Sequence, residues 1–354
     1  MATSKYRVFD GHNDTLLNLH LAERGGGRSF FIESDKGHID LPRARRGGLA
    51  GGFFAIFVPP VAEYSSSAPP DLSKAKSVAP PVPALDPAYA KDFTNTLITL
   101  LGDIEEQADG QVHVVRNIAE LGRCLSRGVL GVVLHFEGAE AIYPDLSALE
   151  HFYDRGLRSL GLVWSRPNAY GHGVPFAFPA SPDSGPGLTD AGFELVLECN
   201  RLGILIDLAH LNERGFWDVA AITGSPVVVT HGAAHRLSPC SRNLTDDQLD
   251  AIGESGGVVG LNFHVGFLRP DGLRDPDMPL RVMVDHIDYM VDRIGIDHVA
   301  LGSDFDGATM SKYLGDVAGL PKLIDELQRA GYDDAALRKL TLENWVRVLG
   351  DTWN

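Results

Sequence analysis

The sequence predicts an α/β fold in which eight parallel strands alternate with helices as a (β/α)8 barrel of the TIM type, in a single domain over residues 1–354. Three observations support this fold class. Short apolar or β-branched runs recur about eight times along the chain. Most segments between them have a helical pattern. Some runs, such as Val227–Val229, are continuously apolar, which is typical of strands buried on both faces.

The predicted strands are each followed by loop residues and then, in most cases, by a helix. In order, they are Tyr6–Phe9, Gly52–Val58, Gly131–Phe136, Arg158–Trp164, Gly203–Leu208, Pro226–Thr230, Gly257–Phe263 and His298–Ser303. Apolar residues at three- and four-residue steps predict a helix over Leu280–Ile294. Thr245 and Gln248 have the spacing of a capping box that opens a helix through Ile252. The segment Asp333–Leu349 is typical of a closing helix.

Three long segments follow predicted strands, at the face of the barrel where strands end. They are Pro59–Asp86, Ser165–Thr189 and His264–Pro279. Barrel enzymes build their sites from the loops of this face. We therefore expect these segments to form walls or lids of a site, with a floppy, exposed insertion as the alternative for the first.

Composition narrows the class of protein. A chain of 354 residues with 44% hydrophobic and 22% charged residues is typical of a globular protein. The net charge of −16 disfavours binding to nucleic acid and argues against a phosphoesterase or nuclease. Three widely spaced cysteines, Cys124, Cys199 and Cys240, indicate buried free thiols in a reducing compartment. With no leader-like N-terminus and no membrane-length apolar run, we expect a cytoplasmic protein that does not bind membranes. The oligomeric state stays open, a homodimer included.

Imidazoles and carboxylates occur at the same end of five predicted strands. His12 and Asp14 follow the first strand, Glu137 the third, His210 the fifth, His231 the sixth and Asp304 the eighth. Each alone is explained by a turn or a helix cap. Because a barrel brings its strand ends to one cavity, their shared location predicts one site.

The residue types at this predicted site are those that bind zinc. Zinc takes histidine nitrogen and carboxylate oxygen, and a hydrolytic site keeps a position open for water. We expect two zinc ions, and other divalent metals are an alternative. His12 and Asp14 would hold one ion, His210 and His231 would hold the other, and Glu137 would bridge them. Two metals roughly 3.5–4 Å apart hold a hydroxide and polarise a bound carbonyl.

Two further residues complete the predicted chemistry. Asp304, ionised beside two cations, would take the proton of the bridging water and pass it to a leaving amine. Arg242, on the loop after the sixth strand, is placed to pair with a substrate carboxylate. From the pattern alone, the alternative that Arg242 faces solvent or pairs with Asp246 or Asp247 has equal support.

Six motifs together resemble the membrane (renal) dipeptidase family, a branch of the metal-dependent amidohydrolases with a (β/α)8 barrel. The motifs, in the order of the family, are Asp10–Asp14, Phe136–Gly138, Asp207–His210, Thr230–His231, Ser241–Asp247 and Gly302–Gly307. The resemblance covers nearly the whole chain, from Phe9 to the closing helix. It implies two zinc ions and hydrolysis of dipeptides that have a free C-terminal carboxylate, often with a D-residue tolerated there.

The resemblance also assigns roles to single residues. His12, Asp14, Glu137, His210 and His231 match the zinc ligands of the family, Arg242 its carboxylate-binding arginine and Asp304 its acid–base aspartate. This match favours the substrate-binding interpretation of Arg242. An N-acyl-amino-acid deacylase, or another amidohydrolase such as a lactonase, remains the alternative function, because it would use the same metals and Asp304.

The chain departs from the family at the end of the fourth strand. Members of the family commonly carry a histidine there, and this chain has Trp164. Trp164 could donate an indole hydrogen bond and form an aromatic wall for the substrate. Alternatively, His172 in the following loop could take the role of the missing histidine, or be a loop residue without a role. A third interpretation is that the pocket accepts another acyl-amino acid.

Three further polar residues are expected to support the site rather than to bind metal. His135 lies two residues before Glu137 on the same strand face, deep in the barrel. Asp207 and Asp306 are expected to act as hydrogen-bonding or capping partners.

Overall fold

The structure is a computed structural model that describes residues 5–60, 77–78 and 82–353. Within these residues, eight parallel strands pair in chain order around a barrel, and this confirms the predicted fold class. The strands are β1 (Val8–Asn13), β2 (Leu49–Phe57), β3 (Leu130–Glu137), β4 (Leu157–Gly161), β5 (Leu205–Asp207), β6 (Val228–Gly232), β7 (Val258–Leu261) and β8 (Val299–Leu301).

The barrel closes where the segment after β8 meets the end of β1. The Asp304 amide donates to the His12 carbonyl at 2.9 Å, and the Asp14 amide donates to the Phe305 carbonyl at 2.8 Å. Asn13 and Phe305 form a parallel bridge. The closure therefore brings together the two chain segments that carry His12, Asp14 and Asp304.

Helices surround the barrel and connect its strands. The α-helices of the described residues are α1 (Thr15–His20), α2 (Leu41–Gly47), α3 (Pro87–Gln107), α4 (Ile118–Arg127), α5 (Leu149–Asp154), α6 (Asp190–Leu202), α7 (Glu213–Ile222), α8 (Asp246–Glu254), α9 (Val265–Leu268), α10 (Arg281–Ile294), α11 (Leu320–Arg329), α12 (Asp334–Arg338) and α13 (Asn344–Thr352). The predicted helix over Leu280–Ile294 is α10, with Leu280 at its N-cap. The predicted capping box of Thr245 and Gln248 is present at the start of α8.

The closing helix is longer and less regular than predicted. A π-helical segment, Lys339–Glu343, joins α12 to α13, and α13 continues to Thr352. Trp345 of α13 is fully buried, and its indole nitrogen donates to the Leu301 carbonyl at 3.0 Å. Its ring contacts Phe53 and Phe9 of the first two strands, at centroid distances of 5.3 and 6.4 Å. The closing helix thus fills the end of the barrel opposite to the carboxyl ends of the strands.

Three short strands lie outside the barrel circuit. Val112–Val114 pairs with the beginning of β3, and Ser77–Val78 pairs antiparallel with Ala177–Phe178. Most of the first predicted long loop, Pro59–Asp86, lies outside the described residues. The other two predicted loops follow β4 and β7, and they carry Ala177–Phe178 and helix α9 respectively.

The first strand extends further than the pattern predicted. The sequence predicts Tyr6–Phe9 as the strand, whereas β1 runs to Asn13. The polar residues stay in the strand because their side chains have partners inside the barrel: Asp10 accepts from the amide and hydroxyl of Ser303 at 2.7 and 2.8 Å. Conversely, β4 ends at Gly161, so Trp164 lies three residues beyond the strand.

Two predictions from composition concern the rest of the molecule. The described part of the chain contains no helix that is long and apolar enough to cross a membrane. Cys124, Cys199 and Cys240 are buried and free, as predicted.

Candidate metal centre and active site

The imidazoles and carboxylates that the sequence predicts for one site lie close together at the mouth of the barrel. Their potential ligand atoms form three overlapping groups, and within each group the atoms lie within 4.8 Å of one another. The groups are His12, Asp14 and Glu137; Glu137, His210 and His231; and His12, His231 and Asp304. Glu137 belongs to the first two groups, so a carboxylate shared between two ions is compatible with this geometry.

The potential ligand atoms of the cluster lie between about 3 and 4 Å from one another. Glu137 Oε1 lies 2.9 Å from His210 Nε2 and 3.6 Å from both His12 Nε2 and His231 Nε2. His12 Nε2 lies 3.7 Å from Asp14 Oδ2. The two ring nitrogens His210 Nε2 and His231 Nε2 are 3.1 Å apart.

Hydrogen bonds on the far side of two rings fix which nitrogen faces the cluster. His210 Nδ1 lies 2.8 Å from Ser165 Oγ, and His231 Nδ1 lies 2.9 Å from Thr230 Oγ1. The Thr230 hydroxyl donates to Asp207 at 2.6 Å, so its oxygen is free to accept the proton of His231 Nδ1. With protons at Nδ1, both Nε2 lone pairs point into the cluster, which is the tautomer that binds a metal.

The ring of His12 has no hydrogen-bond partner among the described residues. Both nitrogens of this ring are buried and unpartnered in the part of the chain that the structure describes, as is Asp14 Oδ1. Buried polar atoms without partners are costly, and a cation at this position would satisfy them. These orphaned atoms, together with the histidine and carboxylate donor set, show that the residues present fit divalent metal ions.

The electrostatics of the cluster also favour added positive charge. Burial alone would lower the pKa of His12, but the carboxylates of Glu137, Asp14 and Asp304 raise it to about 10. Burial raises the pKa of Glu137 well above its usual range, and the neighbouring carboxylates add to this shift. Burial lowers the pKa of His210 and of His231 well below the usual value for histidine, so both rings are neutral.

Asp304 lies at the edge of the cluster. Its carboxylate accepts a hydrogen bond from Asn262 Nδ2 at 2.9 Å. Burial and the charge of Asp14 raise the pKa of Asp304 to about 6, while His12, Asn262 and Arg242 act in the opposite direction. A group with this pKa can both take and release a proton near neutral pH.

Arg242 is a buried cation without an anionic partner among the described residues. Arg242 is 4% exposed and its Nη2 donates to the His231 carbonyl at 2.9 Å, while its Nε has no hydrogen-bond partner within the described ranges. Burial lowers the pKa of Arg242, whereas Asp207, Asp304 and Glu137 raise it. The structure therefore places an under-satisfied guanidinium beside the cluster, not facing solvent or paired with Asp246 or Asp247.

Trp164 lies against one of the clustered histidines. Its ring centroid is 5.8 Å from that of His210, 5.0 Å from Phe57 and 5.4 Å from Phe176. His172 makes no such ring contact with the clustered histidines among the described residues, and its ring nitrogen Nδ1 lies 3.5 Å from the Gly187 carbonyl. A substrate-binding role for either residue stays a prediction.

The three residues predicted to support the site do have partners outside it. His135 Nδ1 lies 2.9 Å from Ser159 Oγ inside the barrel. Asp207 accepts from the amides of Thr230 and Ala209 at 2.8 and 3.0 Å. Asp306 accepts from the Thr15 hydroxyl at 3.2 Å.

Sequence reasoning missed several partners of the cluster. Ser165 and Thr230 orient the rings of His210 and His231, Asn262 binds Asp304, and Phe176 lies 6.1 Å from His210. Asn262 follows β7 at the same end of the barrel as the other residues, so the strand-end rule could have identified it. Ser165 and Phe176 depend on the path of a long loop, for which the sequence has no comparable rule.

A parallel eight-stranded barrel with such a histidine and carboxylate cluster at its mouth defines the class of protein as a metal-dependent hydrolase. The chain matches the membrane dipeptidase family, peptidase family M19, over residues 2–354. It therefore belongs to this family and is a metal-dependent dipeptidase.

Individual relatives are similar over most of their length. A metallo peptidase from Rhodobacter sphaeroides, whose crystal structure holds a phosphinate mimic of the dipeptide L-Ala-D-Ala, is 46% identical with a TM-score of 0.91, covering 99% of this chain and 100% of that chain. An uncharacterized protein from the pqqA 5′ region of Klebsiella pneumoniae is 49% identical over 256 residues, which is 72% of this chain and 94% of its own length. An uncharacterized dipeptidase of Schizosaccharomyces pombe is 30% identical, covering 97% of this chain and 79% of its own length.

Proposed function

We propose that the protein hydrolyses the peptide bond of L-Xaa-L-Xaa and L-Xaa-D-Xaa dipeptides with two zinc ions, and that Arg242 binds the substrate C-terminal carboxylate. The observation that carries this proposal is the buried guanidinium of Arg242, which has no carboxylate partner among the described residues. A buried cation is costly unless an anion meets it. A substrate carboxylate fits this requirement, and the guanidinium can bind it through two parallel hydrogen bonds.

The proposed ligands divide into two sets that share one carboxylate. His12 and Asp14 would hold one zinc ion, His210 and His231 would hold the other, and Glu137 would contribute to both sites. The support is the grouping of their ligand atoms and the orientation of the histidine nitrogens toward the cluster. Two zinc ions at these residues would supply Lewis acidity, which would lower the pKa of water and polarise the scissile carbonyl.

Asp304 moves the proton in the proposed reaction. It takes a proton from the attacking water and hands it to the leaving amine, and Asn262 holds its carboxylate in place. The substrate stereochemistry follows the Rhodobacter sphaeroides relative, which binds a mimic of a dipeptide with a D-residue at its C-terminus. We also propose that Trp164, and not His172, lines the pocket, because the Trp164 ring is the one beside His210.

The test is a panel of L-L and L-D dipeptides assayed with metal-reconstituted protein, together with Asp304→Asn. We expect dipeptide turnover by the wild type and a loss of kcat by about 10²–10⁴-fold in Asp304→Asn. Metal content should be counted on the same samples, so that loss of chemistry is separated from loss of metal. Intact turnover in Asp304→Asn would overturn the assigned proton transfer.

The same assay separates the dipeptidase from the deacylase alternative. N-acyl-amino acids also present a carboxylate to Arg242, so they belong in the panel. Neutralising that site with Arg242→Met should raise KM for every substrate with a free carboxylate and leave dipeptide amides less affected. Turnover of acyl compounds without turnover of any dipeptide would contradict the proposed dipeptidase function.

A further inference from the structure

A buried ion pair lies behind the half-buried face of Trp164, at the mouth of the barrel. Arg166 and Glu140 are 1% and 6% exposed, and Arg166 Nε donates to Glu140 Oε1 at 2.7 Å. Arg166 Nη1 and Glu140 Oε2 have no hydrogen-bond partner among the described residues. A buried ion pair of this kind adds little net stability over well-packed apolar residues. The pair is therefore better explained by the groups it holds in position than by its contribution to stability.

The guanidinium of Arg166 connects the loops that follow three successive strands. Arg166 itself follows β4, Glu140 follows β3, and Arg166 Nη2 donates to the carbonyl of Val58, immediately after β2, at 2.8 Å. The guanidinium carbon lies 5.3 Å from the ring centroid of Trp164 and 5.3 Å from that of Phe57. A guanidinium at this distance attracts an aromatic ring through its face. Arg166 thus fixes both rings relative to three strand ends.

The two rings belong to an aromatic wall on one side of the metal cluster. We use the name aromatic wall for Phe57, Trp164 and Phe176, whose neighbouring ring centroids are 5.0 and 5.4 Å apart. Phe57 is buried, whereas Trp164 and Phe176 are only half-buried. Trp164 and Phe176 both lie against His210. A small ligand at the cluster would therefore meet an apolar surface on this side.

The position of Arg242 determines which end of a dipeptide meets the aromatic wall. Arg242 bonds to the His231 carbonyl of β6, and Phe57 ends β2. These strands are four places apart in a ring of eight, so they lie on opposite sides of the mouth. An extended dipeptide spans about 7 Å. With its carboxylate at Arg242 and its peptide bond at the metal cluster, its N-terminal residue points toward β2, at the Phe57 and Trp164 end of the wall. Phe176 lies at the other end, nearer to Arg242, since the Ala177 amide donates to Ser241 Oγ at 3.0 Å.

We infer that the aromatic wall is the subsite for the side chain of the N-terminal residue of the dipeptide, that Trp164 is its specificity-determining residue, and that Arg166 and Glu140 are positioning residues for Trp164. This inference rests on the proposed function, since it uses Arg242 as the carboxylate site. The wall presents aromatic carbon to the substrate, and the charges of Arg166 and Glu140 behind it are paired with each other. The subsite therefore selects apolar N-terminal side chains, such as leucine and phenylalanine, over charged ones.

The test uses five dipeptides that differ only in the N-terminal residue: L-Ala-D-Ala, L-Leu-D-Ala, L-Phe-D-Ala, L-Glu-D-Ala and L-Lys-D-Ala. We expect kcat/KM of the metal-loaded wild type to be about tenfold or more higher for the leucine and phenylalanine substrates than for the charged ones. In Trp164→Ala, kcat/KM for the leucine and phenylalanine substrates should be no more than about threefold higher than for the charged ones. The change should occur mainly in KM, because contact with a substrate side chain away from the reacting bond is made before and during the reaction alike.

The positioning role needs a variant that leaves no unpaired buried charge. Replacing both partners, Arg166→Met with Glu140→Met, should lower the same ratio at least threefold while metal content is retained. The matched control is Arg158→Met: Arg158 is also buried and lies 3.7 Å from the ring centroid of Tyr153, but it follows the start of β4 at the other end of the strand. Arg158→Met should keep the wild-type ratio.

Each outcome decides a separate statement. A wild type that hydrolyses all five dipeptides equally well, or a Trp164→Ala that keeps the preference, overturns the subsite while the dipeptidase proposal stands. A double variant that keeps the wild-type ratio overturns the positioning role of Arg166 and Glu140. A loss of the same size for all five dipeptides in the double variant also overturns it, since that result indicates general damage to the site. Absence of turnover with all five dipeptides overturns the proposed function and this inference with it.

Discussion

Gly307 occupies a position where a side chain would enter the candidate metal centre. A Cβ built on Gly307 would lie 2.0 Å from Asp14 Oδ2 and 2.5 Å from Asp304 Oδ1. Both distances are far inside van der Waals contact, so the carboxylate oxygens would have to move. Because these atoms are the free ends of side chains, the fold itself can adapt. The glycine is thus required by the site more than by the barrel.

We predict that Gly307→Ala lowers activity by at least about 100-fold, because a 1 Å misplacement in a reacting site has that effect. The global fold should persist, with a circular dichroism spectrum like that of the wild type. Metal content and kcat/KM on a dipeptide measure the effect.

The control for this variant is Gly102→Ala. Gly102 is exposed within α3, and an added Cβ would meet no atom within 4 Å. Alanine in a helix interior is more favourable than glycine by up to about 1 kcal/mol. Gly102→Ala should therefore keep full activity with equal or higher stability. A fully active Gly307→Ala would show that the two carboxylates need not stay where the structure has them.

Two residues of the site have an unusual backbone conformation. His210 has φ 66° and Asp304 has φ 60°, in the left-handed region that side chains seldom adopt. Each lies just after a barrel strand, where the left-handed turn redirects the chain. Strained residues of this kind cluster at functional sites because the surrounding structure holds them in place. The orientation of both side chains toward the cluster depends on this turn.

Helix α10 is connected to the loops of the barrel mouth by one buried histidine. His286 is 1% exposed; its Nδ1 accepts from the Ala234 amide at 3.2 Å, and its Nε2 lies 3.0 Å from the Leu268 carbonyl. These two bonds join α10 to the segment after β6 and to the end of α9. They require a neutral ring, since Nδ1 must accept. Burial lowers the pKa of His286 to about 4.

We predict that His286 makes the protein less stable as the pH falls below about 6.5. The unfolded chain binds a proton at about pH 6.5 while the folded chain does so only near pH 4, so stability is present above pH 6.5 and is lost between these values. The loss from pH 7 to pH 5 is about 2 kcal/mol. Urea unfolding at both pH values measures it, and His286→Gln, which keeps an acceptor and a donor, should remove about this much of the pH dependence. An unchanged pH dependence in His286→Gln would contradict the prediction.

The strands show which parts of the fold can be predicted from sequence. Buried parallel strands have apolar runs that are easily recognised, and their ends converge by topology, so the cluster of ligand-type residues could be predicted before the structure. The extension of β1 through Asp10 could not, because it depends on Ser303, which is distant along the chain. The hydrogen bond between Ser165 and His210 could not be predicted for the same reason. Such partners are brought together only when the barrel closes.

At the scale of the whole molecule, the protein is acidic and concentrates carboxylates at one buried place. The net charge is −16, and Asp14, Glu137 and Asp304 all belong to the cluster at the barrel mouth. The raised pKa values of Glu137 and Asp304 show that burial and mutual repulsion oppose their ionisation. Cations bound there would remove this penalty. Metal binding should therefore stabilise the fold as well as supply the chemistry.

We predict that removing metal with a chelator lowers Tm by a few degrees and abolishes activity, and that zinc restores both. A ligand present at 100 times its Kd adds about 2.7 kcal/mol of stability, which corresponds to a shift of this size in a chain of 354 residues. Calorimetry and elemental analysis on the same samples measure the shift and the stoichiometry. Two equivalents are expected in the wild type.

Two variants separate a shared carboxylate from one that serves a single ion. Asp14 belongs to one of the two ligand sets and Glu137 to both. Asp14→Asn should therefore retain about one equivalent of metal, whereas Glu137→Gln should weaken both sites and retain less. Both substitutions remove one negative charge and keep nearly the same volume, so the difference between them reports the geometry and not the charge. Equal metal content in the two variants, or one equivalent with full activity in the wild type, would contradict a bridging role for Glu137.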